Sequence, residues 1–174
     1  MGAEQPLRAA LEALGFLEDP ETAAAPEAFA ELLRGFDPRR PEPAITLLET
    51  SSSDPVLLRA VPFYSLCAHH LVPFFGEACV GLRPAGRLAG LGSIARLLQH
   101  WAARPQVQER LGAELAEDLV RRLGARAAFV HLRARHLCLE LRGARTPAWV
   151  ETLAWRGEED PELRLLIGKT TSEG

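Results

Sequence analysis

The segment 129–142 constrains this chain more than any other. It is long, rich in Leu and Arg, free of Gly and Pro, and stopped by Gly143. Such a run reads as one long β-strand, and side chains alternate faces along a strand. One face then carries Val130, Leu132, Ala134, His136, Cys138, Glu140 and Arg142. The other carries His131, Arg133 and Arg135, then Leu137, Leu139 and Leu141. The apolar face changes partway along. A half-buried strand that switches faces points to a pocket or an interface at the switch. There His136 and Cys138 project side by side, about 7 Å apart at Cα.

A strand of that length needs neighbours. Candidates are 45–49, 56–64, 77–83 and 150–156. The turn-forming Ser51-Ser52-Ser53-Asp54-Pro55 lies between the first two, and Pro84 and Gly86 end the third. Within 1–17, Leu7, Ala10, Leu11 and Leu14 fall at helical spacing, with Gly15 placed to end the helix. A second helix is predicted over 21–33, with Gly35 as its stop. Ser93 is placed to cap a helix presenting Ile94, Leu97, Leu98 and Trp101. Pro105 suits the first turn of a longer helix on which Val107, Leu111, Leu115 and Leu119 recur, closed by Gly124. A short helix follows Asp160. The loop Asp37-Pro38-Arg39-Arg40-Pro41-Glu42-Pro43 holds no regular structure and separates a helical segment, 1–44, from a β-rich body, 45–174. This order predicts an α+β fold with a mostly antiparallel sheet and helices on one face.

Composition narrows the classes of function. The 174 residues are 47% hydrophobic and 25% charged, which suits a globular domain with a real core. A net charge of −3 supplies no basic field, so neither nucleic acid nor a membrane is an expected partner. No apolar run approaches the ~20 residues that span a bilayer. Glu4, Arg8 and Glu12 make 1–17 an amphipathic helix rather than a signal peptide. The expected location is the reducing cytoplasm, where three cysteines are thiols or metal ligands rather than a disulfide framework.

A second chemical cluster is Cys67-Ala68-His69-His70. Cysteine and histidine are the usual ligands of zinc; three of them with an open fourth position make a catalytic site, and four a structural one. The best triple is Cys67, His70 and Cys138, whose two thiolates neutralise the ion. His69 and His136 remain as nearby acid–base groups. Each piece alone has a plainer reading. Cys-x-x-His is a weak signal, Cys138 reads as a small buried hydrophobe, Cys79 as core, and His100 and His131 as surface or helix-end residues. The coincidence of two Cys/His clusters in one small domain is what raises the metal reading. By periodicity alone, Gln108 and Glu109 form a solvated first helical turn, where the helix dipole favours acids.

Four ordered motifs resemble the GTP cyclohydrolase I family. Its Cys-Glu-His-His and Val-Pro-Phe-x-Gly elements read here as Cys67-Ala68-His69-His70 and Val72-Pro73-Phe74-Phe75-Gly76. Its Gly-Leu-Ser-Lys-x-x-Arg reads Gly90-Leu91-Gly92-Ser93-Ile94-Ala95-Arg96. Its Arg-x-Gln-Val-Gln-Glu-Arg-Leu is almost intact as Arg104-Pro105-Gln106-Val107-Gln108-Glu109-Arg110-Leu111. Its His-x-Cys-x-x-x-Arg-Gly reads His136-Leu137-Cys138-Leu139-Glu140-Leu141-Arg142-Gly143. The likeness is good over 63–143, loose in the N-terminal helices and poor after Gly143. It implies the tunnelling fold, with 45–174 as the catalytic domain. It also implies a homo-oligomeric ring of subunits whose strands form a barrel (a decamer is one expected size), with active sites between subunits. It implies roles as well: Cys67, His70 and Cys138 on Zn2+, and His69 and His136 moving protons. Gln108, Glu109 and Leu91 would be at the guanine-type substrate, with Arg96 and Arg142 facing its triphosphate. The implied reaction is hydrolytic opening of the imidazole ring at C8, with formate released by a second hydration.

The departures cluster at the phosphate end. The family's Glu is Ala68, and its Ser-Lys pair is Gly92-Ser93. A Thr-Pro-x-Arg-x-x-Lys pattern falls on Ala25-Pro26-Glu27-Ala28-Phe29-Ala30-Glu31, placing Ala28 and Glu31 where cations are expected. A charge-assisted phosphate contact contributes about 1.5–3 kcal/mol, so three lost cations amount to several. The expectation is therefore a substrate with fewer phosphates, such as a guanine monophosphate, a nucleoside or a related base. Two other readings stay open: an ordinary GTP cyclohydrolase with a clamp rebuilt from Arg39, Arg40, Arg83, Arg87 or Arg145, and a non-catalytic subunit or regulator of a pterin pathway.

Overall fold

The structure is a computed structural model that describes residues 3–171. The chain divides into two compact units, Met1–Pro38 and Arg39–Gly174.

The first unit is a helical pair, α1 (Glu4–Ala13) and α2 (Ala25–Arg34). Gly15, at φ +74°, turns the chain out of α1. The helix expected from residue 21 starts later. The Asp19 carboxylate accepts from the Glu21 N–H at 2.9 Å, and a single 3-10 turn forms at Pro20–Thr22. A side chain that caps locally competes with a continuous helix. Pro26 then sits in the first turn of α2, where its missing N–H costs nothing. Arg8–Glu27 at 2.8 Å and Arg34–Glu4 tie the two helices together.

The second unit is built on a five-stranded sheet ordered β5-β2-β3-β6-β7. Its strands are β2 (Val56–Cys67), β3 (Pro73–Arg83), β5 (Pro105–Gln106), β6 (Ala127–His136) and β7 (Trp149–Gly157). Every pairing is antiparallel except the short β2–β5 contact. A small ladder of β1 (Leu47–Glu49) with β4 (Arg87–Ala89) stands beside it. Two helices, α3 (Leu91–Ala102) and α4 (Gln108–Arg121), cover one face. Ile94, Leu97, Leu98, Leu111, Leu115 and Leu119 meet Phe63, Phe74, Ala78, Val80, Leu82, Val130 and Leu132 there. This is the main core and the expected α+β layering. The C-terminal helix α6 (Pro161–Thr171) closes one end of the opposite face, where Leu163 meets Cys79, Ala127 and Phe129. Gly76 on β3 is required by close approach, since a Cβ there would lie 2.0 Å from the Arg133 carbonyl oxygen on β6.

Several expectations are corrected. The strand over 129–142 ends at His136, and a four-residue helix, α5 (Leu137–Glu140), follows. Its neighbours explain why. The last pairs of β6 are Phe74↔His136 on one side and Arg135↔Trp149 on the other. Beyond these a strand has no ladder, and Leu and Glu favour a helical turn. The apparent switch of apolar face was a switch from strand to helix. Pro105 lies in β5 rather than in the helix, which starts at Gln108. Ser93 does not cap α3; Gly90 holds that place, and Ser93 is buried one turn inside. His131 is not a surface residue: it is buried on β6, with Nε2 2.9 Å from the Glu151 carboxylate. Among the described residues, no helix is long and apolar enough to cross a membrane.

Candidate metal centre and active site

Cys67 is the last residue of β2, and the chain then makes a tight turn. The Cys67 N–H donates to the Val72 carbonyl at 2.9 Å, and the His70 and Leu71 N–H groups return to the Cys67 carbonyl at 3.2 and 2.8 Å. Leu71 takes φ +54° to close the loop, a left-handed conformation uncommon for a non-glycine residue. β5 pins the same loop from the side, because the Ala68 N–H donates to the Gln106 carbonyl at 2.8 Å. Cys-x-x-His thus becomes a single turn that puts both ligands on one side. Sγ of Cys67 lies 3.6 Å from Nδ1 of His70 and 3.9 Å from Nδ1 of His69.

The third ligand arrives through α5. The turn from β6 into α5 is held by the Arg135–Glu140 ion pair and by the Leu141 N–H to the Leu137 carbonyl at 2.8 Å. That turn, not strand parity, aims Cys138 at Cys67. One ligand atom each from Cys67, His70 and Cys138 lies within 4.8 Å of the others. A tetrahedral zinc with S at ~2.3 Å and N at ~2.05 Å separates those two ligands by about 3.6 Å. The Cys67–His70 spacing therefore already fits such an ion. Burial first, and the neighbouring Cys67 thiol second, push the Cys138 thiol up. A divalent cation supplies the opposite charge that relieves this. The donor set and its spacing fit zinc.

His136 ends β6 beside this cluster. It faces Phe74 across the β3–β6 ladder, and the two rings stack at 4.7 Å with an interplanar angle of 7°. Its Nε2 lies 2.7 Å from Oε1 of Gln108. Burial pulls its pKa down, opposed by the nearby Glu109 and Glu140 carboxylates. Gln108 is not part of a solvated turn. It is 2% exposed, and its amide NH2 reaches the carbonyls of Leu132 and Val150 and the Thr152 hydroxyl at 3.2, 3.0 and 3.1 Å. Its side chain is occupied inside the fold, whereas Glu109 beside it is exposed.

The remaining expected residues stand apart. Leu91 and Arg96 are exposed on α3, and Arg142 is exposed just after α5. Among the described residues, no hydrogen bond or ring contact joins them to the cluster. Nη2 of Arg96 donates to the Ser93 hydroxyl at 3.0 Å and to the Ala44 carbonyl at 3.4 Å. The same hydroxyl accepts the Thr46 N–H at 2.9 Å. Ala28 and Glu31 are exposed on α2, in the first unit. Sequence reasoning missed Phe74, Thr152 and the Arg135–Glu140 brace. Phe74 lay inside a named motif, but only strand register reveals that it faces His136.

A family model described as GTP cyclohydrolase I matches residues 5–168. The protein named GTP cyclohydrolase 1 from Thermobifida fusca (strain YX) is 43% identical over 146 residues, covering 82% of this chain and 70% of that protein. Its namesake from Mycobacterium marinum (strain ATCC BAA-535 / M) is 41% identical over 166 residues, covering 90% and 81%. A solved structure, the archaeosine synthase QueF-Like in the apo form, superposes with a TM-score of 0.50 at 18% identity, over 64% of this chain and 100% of that one. That likeness concerns the fold alone, and the fold is the tunnelling fold. With a family model matching it almost end to end, the chain belongs to the GTP cyclohydrolase I family.

Proposed function

We propose that this protein is a zinc-dependent hydrolase that opens the imidazole ring of a guanine-type compound at C8, acting on substrates with fewer than three phosphates. The convergence of Cys67, His70 and Cys138 within 4.8 Å, with His69 and His136 close by, carries the reading. Zinc bound there supplies a Lewis acid that activates water and polarises the carbon under attack. The protein's own groups do the rest. His69 and His136 hold and deliver the proton that the ring nitrogen takes up as its bond to C8 opens. The Glu109 carboxylate accepts hydrogen bonds from N1–H and the 2-amino group of guanine, a pairing that neutral acceptors match less well.

The phosphate end supports the second half of the proposal. The Ser93 hydroxyl stands where the family's lysine is expected, and Arg96 donates to it and to a backbone carbonyl. A second reading, an ordinary GTP cyclohydrolase, draws on exposed Arg142 and on the relatives' names. Both are tested by metal analysis and by steady-state kinetics with GTP, GMP and guanosine, with products identified by mass spectrometry. We expect about one zinc per chain and a kcat/KM for GMP or guanosine at least equal to that for GTP. A large preference for GTP selects the second reading. Turnover of no guanine compound by zinc-loaded protein overturns both.

A further inference from the structure

We propose that Thr152, on β7 and outside every motif named above, is a positioning residue that acts through Gln108 to hold the orientation of His136. The inference rests on the reading of His136 as a proton-transfer group and adds to it what holds that ring in place.

The chain of reasoning is one of donors and acceptors. An amide side chain has an oxygen end and an NH2 end, and its surroundings decide which way it points. One end of the Gln108 amide faces the backbone carbonyls of Leu132 and Val150 and the Thr152 hydroxyl. Two of these partners accept only, so this end must be the NH2. Turned over, Oε1 would face two carbonyl oxygens in a buried place where nothing relieves the repulsion. The oxygen end therefore faces His136, 2.7 Å from Nε2, and that nitrogen must carry the hydrogen. In the neutral ring Nδ1 is then the lone acceptor. The Phe74 stack fixes the plane of the ring, and the Gln108 bond fixes its rotation within that plane.

Of the three groups that orient Gln108, only Thr152 belongs to a side chain. It sits on β7 opposite Leu132, so register brings its hydroxyl and the Leu132 carbonyl to the same amide. A β-branched residue on a strand has a restricted χ1, which holds the hydroxyl in place without further partners. The amide has two N–H donors for three acceptors, so losing the hydroxyl keeps its NH2 end on the two carbonyls but lets the amide, and with it His136, shift toward them.

The test compares the full chain, zinc-loaded, as wild type, Thr152→Val and Thr152→Ser. Thr152→Val keeps shape and removes the acceptor; Thr152→Ser restores it. We expect Thr152→Val to lower kcat about five- to tenfold with KM and zinc content unchanged, and Thr152→Ser to recover to within about twofold. Long-range 1H–15N NMR of [15N]histidine-labelled protein reads the tautomer without reference to activity. It should give an Nε2–H form for His136 in the wild type, and in Thr152→Val the same form with its ring resonances shifted. An Nδ1–H form in the wild type overturns the proposal. So does an unchanged kcat in Thr152→Val, or a loss explained by missing zinc. Should Thr152→Val fail to fold, Thr152→Ala, which removes the acceptor without adding bulk, takes its place in the same comparison. A wild type that turns over no guanine compound defeats the proposed function but leaves the tautomer assignment to the spectrum.

Discussion

At Cys138, two requirements meet in one side chain. It is partly buried against the main core, and it stands beside a second thiol; both hold its proton on. Zinc uptake must expel that proton, so binding should release protons and weaken as pH falls. Cys138→Ser removes the softest part of this site. We expect metal affinity to fall by more than about 100-fold, beyond the 10–100-fold typical of changes in the surrounding shell. Elemental analysis after dialysis against a mild chelator reads this directly, and near-stoichiometric zinc in the variant would contradict the ligand set. Ser93 poses a different residue-scale question. It is 1% exposed, and its hydroxyl serves both the Thr46 N–H and Arg96. Ser93→Ala leaves a part-buried N–H without its partner, which costs about 1–3 kcal/mol, and it releases the guanidinium. The melting temperature should fall while KM for GTP improves relative to GMP. If the GTP-to-GMP ratio does not move, Arg96 is not a suppressed phosphate ligand.

Among the elements, the turn from β6 into α5 decides whether the site exists. The sequence made Cys138 a strand residue, because Leu137, Leu139 and Leu141 alternate as they would on a strand. What ends β6 is the ending of its neighbours, and where a partner strand stops is not written in any local pattern. By contrast, Cys67 to His70 was legible, since a Cys-x-x-His turn is set by four consecutive residues. The Arg135–Glu140 pair is the brace across the strand–helix junction, and its hydrogen bonds pull the Glu140 carboxyl down from its ordinary value. Glu140→Gln should therefore weaken zinc about 10–100-fold with little change in the rest of the fold. Competition with a chromophoric chelator measures it, and an unchanged affinity would mean that α5 is held by its neighbours instead. Gly76→Ala acts on the other side of His136. A methyl group 2.0 Å from the Arg133 carbonyl oxygen forces β3 away from β6, and so Phe74 from His136. Loss of melting temperature together with loss of kcat is the expected pair of outcomes.

For the molecule as a whole, the alternation of strands and the helical spacing in α3 and α4 were enough to foresee one layer of helices on an antiparallel sheet. The second, smaller core was not foreseeable, because it joins Leu163 of α6 to Cys79 on β3 and Ala127 and Phe129 on β6, an encounter that no local pattern encodes. An ion-pair cluster adds to the apolar contact that holds α6 there. Arg83, at the end of β3, pairs with Asp160 at 2.5 and 3.0 Å and with Glu162 at 2.9 Å. Asp160 also accepts the Leu163 N–H at 2.9 Å, as the cap of the helix. The Arg83 pair pulls the Asp160 carboxyl down to about 2 from an ordinary 3.8. Because the folded value lies below the unfolded one, the stabilisation is complete above about pH 4 and is lost as pH falls towards 2. It amounts to roughly 1–2 kcal/mol once solvent screening is allowed for. Asp160→Asn separates the two roles, since an amide oxygen still caps the helix but carries no charge to pair with Arg83. Thermal denaturation of wild type and Asp160→Asn should differ by a constant amount from pH 5 to 7 and converge as pH approaches 2. Curves that stay parallel down to pH 2 would show that the capping bond, rather than the ion pair, secures α6 to the sheet.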